Sequence, residues 1–168
     1  MEDLAIHCAK KVGSDWVSTV EANPNMERGM RENFRLNAVS PKAEFYALGK
    51  SGYSAAFHLS SNFWVSSMVR AEYHSDTITI PVKPFNGKIK ELKPTFLIVD
   101  IEGAEYELFQ YADPATVKMM MAEVHSQILG SDKEELLLKR IHDLGFAVKK
   151  KNGNCSLFCR KIPRQGNS

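Results

Sequence analysis

The run Thr95-Phe96-Leu97-Ile98-Val99 stops abruptly at Asp100, and Ile101-Glu102-Gly103-Ala104-Glu105 then adds two more carboxyl groups around a Gly-Ala pair. An uninterrupted apolar run bounded by polar residues reads as a strand buried on both faces. In an open α/β sheet such strands present functional groups at their carboxyl ends, where ligands bind. Asp100 and Glu102 are therefore expected at a functional edge. The plain alternative, an acid-rich surface turn, fits poorly behind so dry a strand.

The surrounding chain alternates strand and helix patterns. Leu4, Ile6, Cys8 and Val12 recur at helical intervals over Glu2 to Val12, and Gly13 supplies a stop. Trp16 to Glu21 reads as a short strand ending in an acid. Ala22-Asn23-Pro24 turns the chain, and Asn25 is placed to cap a helix through about Asn37. Ala43 to Leu48 reads as a second short strand closed by Gly49. The segment Ser51 to His74 has no clean period and is expected to be an irregular loop that shapes a substrate pocket. Thr77 to Val82 alternates and, because it contains Pro81, is predicted to be an edge strand.

After the acidic motif, Tyr106 to Tyr111 reads as a short helix, and Val117 to Val124 as a dry strand interrupted by Glu123 and followed by His125. Asp132 is predicted to cap an amphipathic helix to Leu144 that Gly145 ends. Phe146 to Val148 and Ser156 to Phe158 flank Asn152-Gly153, a two-residue hairpin signal. Together these patterns predict an α/β fold, a three-layer sandwich with a mixed, mostly parallel sheet and a C-terminal antiparallel hairpin. One domain over residues 1–162 is expected, with a disordered tail at 163–168 that has nothing to bury.

Composition narrows the function classes. A 43% hydrophobic and 25% charged chain of 168 residues is ordinary for a soluble domain, and a net charge of +2 makes no demand for nucleic acid. Lys149-Lys150-Lys151 reads as a solvated rim. Cys8, Cys155 and Cys159 show no CxxC or zinc spacing and are expected to be reduced thiols in the cytoplasm. No stretch approaches the roughly 18 apolar residues of a membrane span. The methionines of Met119-Met120-Met121 read as core filler rather than a soft-metal site.

Four strand ends carry polar groups or a glycine: Glu21, Leu48-Gly49, Asp100 with Glu102, and Glu123 with His125. In a doubly wound sheet these ends line one crevice. A carboxylate such as Glu21 can accept both hydroxyls of a ribose. Asn23 is either a turn residue or a ligand contact, and Gly49 either admits a flat ring or merely turns the chain. Glu123 and His125, two apart in a strand, would project to one face, where the acid could orient the imidazole. With Asp100 and Glu102 they could form a general-base site or a divalent-cation site.

These residues resemble the FkbM family of S-adenosylmethionine-dependent methyltransferases. Val20-Glu21-Ala22-Asn23-Pro24 with Arg31-Glu32-Asn33 and Leu36-Asn37 looks like the family's second-strand acid and following helix. Ala47-Leu48-Gly49 resembles the strand end bordering the adenine, and Ser66-Ser67 with Ile78 to Pro81 the loop and edge strand before the centre. Val99-Asp100-Ile101-Glu102-Gly103-Ala104-Glu105 is similar to the family's signature, and Ala122-Glu123-Val124-His125 with Gly130 and Gly145-Phe146 completes the order. The resemblance implies a Rossmann-like fold of the class I methyltransferase type and methyl transfer from S-adenosylmethionine to a hydroxyl of a small molecule or glycan. It implies cofactor contacts at Glu21, Asn23, Leu48, Gly49 and Asp100. Proton removal is implied at His125 or Asp100, with Glu102 and Glu123 orienting substrate or a cation. A bound Mg²⁺ is the alternative means of lowering the hydroxyl's pKa.

The resemblance is incomplete at its start. The family opens with a strand and a glycine-rich loop that cradles the methionine end of the cofactor, whereas Ala5 to Gly13 resembles the helix after that loop. The expectation is a fragment lacking that first strand, with two sheet edges left open. A non-catalytic module that keeps the fold is the second reading. A metal-dependent hydrolase using Asp100, Glu102, Glu123 and His125 is the third.

Overall fold

The computed structural model describes residues 2–60 and 74–161, and the chain divides into two compact units, Met1–Lys83 and Pro84–Ser168. Ser66-Ser67 and the tail beyond Lys161 lie outside the described residues.

In the first unit, helix α1 (Glu2–Val12) forms as the spacing predicts, and Gly13, at φ 93°, ends it. Ala5 and Ile6 of α1 meet Met30 and Phe34 of helix α2 (Glu27–Leu36) in one small core. The strand expected from Trp16 begins only at Ser18. Ser14 to Trp16 form a 3₁₀ turn closed by the Val17 N–H on the Ser14 carbonyl, and Trp16 is 84% exposed with no buried face to offer a sheet. Strand β1 (Ser18–Glu21) pairs in parallel with β2 (Lys42–Phe45), Glu21 opposite Phe45. Asn25 does not cap α2, which follows Met26 without a side-chain cap; instead the Asn23 side chain accepts from the Asn25 N–H at 3.1 Å and caps a 3₁₀ turn over Pro24–Met26 that leads into α2.

The stretch predicted as a single strand over Ala43 to Leu48 is broken at Tyr46, and β3 (Ala47–Gly49) joins a different sheet, of order β3-β5-β4. Its partners correct two further expectations. The beginning of the supposed loop is β4 (Tyr53–Ser60), antiparallel to β5 (His74–Pro84). Thr77 to Val82 is the middle strand of this sheet, with Pro81 opposite Ser54, and not an edge. Proline is tolerated because β3, three residues long, can claim only a short part of β5.

The second unit opens with helix α3 (Phe85–Leu92), whose buried Phe85, Lys88 and Ile89 carry a helical period that Gly87 obscures in the sequence. A four-stranded sheet of order β6-β7-β9-β8 follows. Strand β6 (Phe96–Val99) is parallel to β7 (Met119–Glu123), while β9 (Cys155–Arg160) is antiparallel to both β7 and β8 (Phe146–Asn152). The hairpin loop is Gly153-Asn154, one residue beyond the expected pair. Helices α4 (Glu105–Tyr111), α5 (Ser126–Leu129) and α6 (Ser131–Asp143) complete the unit, and Gly130 precedes α6 where Asp132 was expected as the cap.

Phe109, Val117, Met120, Leu137, Ile141, Phe146 and Phe158 are at most 2% exposed and form its core. Each large one contributes about 1.5–3 kcal/mol by leaving water. Arg160 fixes the end of β9, donating to the carbonyls of Val117 and Pro114 and lying 4.6 Å above the Phe146 ring. Strand β6 is not dry on both faces: Phe96 is 43% exposed and only Val99 is buried. Among the described residues β6 pairs with β7 alone, which leaves it at the end of its sheet. Lys149, Lys150 and Lys151 are exposed along β8, a charged edge strand as expected of a solvated rim.

Candidate functional site

The parallel pairing of β6 and β7 brings their carboxyl ends side by side, so Asp100, just past β6, lies near Glu123, the last residue of β7. Between β6 and α4 the chain must reverse within a few residues. It does so with Glu102 at φ 49° and Gly103 at φ 94°, closed by the Ala104 N–H on the Ile101 carbonyl at 3.2 Å. A left-handed backbone at a residue other than glycine is strained and concentrates at functional sites. Gly103 is required twice over, since a Cβ there would also stand 2.6 Å from Ile128 Cγ2.

That turn aims two carboxyl groups at one imidazole. His125 lies beyond the end of β7, at φ −85° and ψ 69°, where it precedes α5. The expected reason for its orientation, shared strand parity with Glu123, is therefore wrong, although the two groups do converge. His125 Nδ1 donates to Glu105 Oε1 at 2.7 Å, while Nε2 is 3.3 Å from Glu102 Oε2 and 4.0 Å from Asp100 Oδ1. Glu105 is wholly buried, and its Oε1 also accepts the Gly103 N–H at 3.1 Å. The orienting acid is thus Glu105, not Glu123. Spacing alone hid it, because its partner is 20 residues away; the only sequence signal was its place as the third acid of the motif.

The electrostatics follow from this packing. The hydrogen bond that Glu105 accepts raises the His125 pKa to about 9 against the opposing effect of burial, with help from the charges of Glu105, Glu102 and Asp100. Burial raises the Glu102 carboxyl above its usual range; His125 opposes that, and Asp100, Glu123 and Glu105 reinforce it. The Cys155 thiol, opposite Glu123 in the β7–β9 ladder, is pushed up by burial and by the charges of Glu123 and Asp100.

Donor atoms of Asp100, Glu123 and His125 lie within 4.8 Å of one another, a span one cation could bridge. Glu105 occupies Nδ1 of His125, so Nε2, 3.3 Å from Glu102 Oε2, is the nitrogen left to meet such an ion. The arrangement is a cluster of carboxyl groups around one imidazole.

In the first unit, Glu21 stands at the end of β1 and its Oε1 accepts the Asn23 N–H at 2.8 Å. Asn23 is 5% exposed and has the capping duty described above, so its turn role is real. Leu48 and Gly49 lie in β3, where a Cβ on Gly49 would stand 2.6 Å from Val82 Cγ1. Strand packing therefore gives glycine a reason of its own there.

Strands with helices between them, and an acid–imidazole cluster at the carboxyl ends of a parallel pair, place the chain among α/β proteins with mixed sheets and an enzyme-like site. The family model for the methyltransferase FkbM domain matches residues 2–148, and the chain belongs to that family. No curated protein and no solved structure matches it significantly. Among the described residues, no helix is long and apolar enough to cross a membrane.

Proposed function

We propose that the protein is an S-adenosylmethionine-dependent O-methyltransferase acting on a hydroxyl of a small molecule or glycan. The supporting observation is the convergence of Asp100, Glu102, Glu123 and His125 at the ends of β6 and β7 in a chain of the FkbM methyltransferase family. In this reading the fold is the Rossmann-like three-layer sandwich of class I methyltransferases. Three free cysteines suit a reducing compartment, and we assign the protein to the cytoplasm on that ground.

S-adenosylmethionine supplies an electrophilic methyl group on a sulfonium. The chain's own residues hold the cofactor, align the acceptor oxygen and take its proton, and positioning provides much of the rate. Glu21, its carboxylate already steadied by the Asn23 N–H, is suited to the two hydroxyls of a ribose. Asn23, Leu48 and Gly49 are assigned to the nucleoside, and Asp100 to the cofactor's charged end. The cluster at β6 and β7 receives the proton.

Isothermal titration calorimetry with S-adenosylmethionine tests the reading. Binding in the micromolar range, weakened at least tenfold by Glu21→Ala, is the expected result. Silence in a folded sample would favour a non-catalytic module that keeps the fold.

A further inference from the structure

The cluster at the ends of β6 and β7 holds more negative charge than its own residues compensate. Asp100, Glu102, Glu105 and Glu123 gather at His125, and among the described residues no lysine or arginine pairs with any of the four. Glu105 sharpens the imbalance: it is 0% exposed, and its Oε2 is buried without a hydrogen bond. Carboxylates left uncompensated at such depth are costly and call for a positive partner. We propose that Asp100, Glu123 and His125 bind a divalent first-row transition metal ion, and that Glu105 supports the site by fixing the His125 ring.

Geometry carries the assignment. His125 is 6% exposed, so packing holds its ring as well as hydrogen bonding does. Nδ1 meets Glu105 Oε1 at 2.7 Å, and the same oxygen accepts the Gly103 N–H at 3.1 Å. Nε2 makes no hydrogen bond among the described residues; it faces Glu102 Oε2 at 3.3 Å and Asp100 Oδ1 at 4.0 Å. A buried carboxylate on one ring nitrogen is how proteins orient the other toward a metal. The separations agree. Metal–ligand bonds of about 2.1 Å place two ligands about 3.0 Å apart at right angles and about 4.2 Å apart when opposed. Donor atoms of the three proposed ligands lie within 4.8 Å of one another, so small side-chain rotations close the site.

The donor set selects the kind of ion. One imidazole nitrogen with two carboxylate oxygens is softer than the all-oxygen shell that Mg²⁺ and Ca²⁺ prefer, and it suits Mn²⁺, Fe²⁺ or Zn²⁺. Three protein ligands also leave positions open for water or substrate. Access lies on the carboxylate side, where the Asp100 and Glu102 side chains are 23% and 32% exposed against 7% for His125. An ion can enter there, and so can an acceptor hydroxyl. Within the methyl-transfer reading, on which this use of the ion rests, its charge makes that hydroxyl more acidic. The site itself stands on geometry and charge alone.

Mn²⁺ alone is the probe, added to the full chain at neutral pH and followed by electron paramagnetic resonance. One ion per chain should bind in the micromolar range and show ¹⁴N coupling from an imidazole. Zn²⁺ should displace it, and Mg²⁺ should compete at least tenfold more weakly than Zn²⁺. Asp100→Asn should weaken binding at least tenfold, Glu105→Gln by roughly tenfold, and His125→Gln should abolish the nitrogen coupling. No bound ion at about 1 mM Mn²⁺, or a bound ion without that coupling, overturns the proposal. So does binding that Asp100→Asn leaves unchanged, or displacement by Mg²⁺ as readily as by Zn²⁺. An unchanged affinity in Glu105→Gln overturns the supporting role of Glu105. If His125→Gln does not fold, Asp100→Asn, at a partly exposed side chain, decides the matter. Bound Mn²⁺ together with calorimetric silence toward S-adenosylmethionine supports the site and counts against the methyl-transfer reading alone.

Discussion

At the end of β1, the acid Glu21 meets the backbone N–H of Asn23 two residues on, and Asn23 in turn meets Asn25. At the ends of β6 and β7, by contrast, Glu105 meets an imidazole 20 residues away, and Glu102 and Asp100 face the same ring. Both regions looked alike as sequence, each a short strand closed by an acid. Their partners differ in kind. Local hydrogen bonds to backbone shape a turn and would form in many proteins, whereas three acids gathered on one buried imidazole are costly unless they serve each other. A strand-end carboxylate is thus stronger evidence of chemistry when its partner is another ionisable side chain from a distant segment.

That contrast can be broken most severely at Glu105. Glu105→Ala leaves His125 buried without its anchor and should destabilise the protein by about 3–5 kcal/mol in urea unfolding at pH 7. The effect has a pH signature. The folded His125 pKa lies above its unfolded value, so the stabilisation is fully present below about 6.5 and disappears as pH rises through about 9. The gap between wild type and variant should therefore narrow between those values; a constant gap would mean that Glu105 acts by packing alone.

Gly103→Ala tests whether the turn is as constrained as the cluster it carries. A left-handed φ and a Cβ 2.6 Å from Ile128 predict a loss of about 1–3 kcal/mol, together with a changed His125 ring NMR signal. An unaltered ring signal would separate the turn from the cluster. The smallest effect belongs to the first unit, where Asn23→Ala removes one cap and should cost about 1 kcal/mol without moving the His125 titration midpoint.

Periodicity alone revealed α1, α4 and α6 and the alternation of strands with helices, because burial of one face leaves a spacing that needs no partner to be read. It also marked Asp100, Glu102, Glu123 and His125 as candidates, since a dry strand stopping at an acid is uncommon. It could not reveal that β3 leaves the ladder of β2, that β5 lies between two strands, or that β6 is partly exposed. Those facts depend on which strands become neighbours, and hydrogen-bond partners in a sheet are not written in either strand alone.

Identity of the residues was enough to place the chain in its methyltransferase family and to name most of the groups that meet at the ends of β6 and β7. Only the tertiary structure chose Glu105 over Glu123 as the partner of His125, and with that choice the upward pull on the ring's pKa. The physical reason is that a proton's affinity is set by distance and dielectric, and both arise when β7 ends at Glu123 and the chain swings His125 onto a helix that began 20 residues earlier.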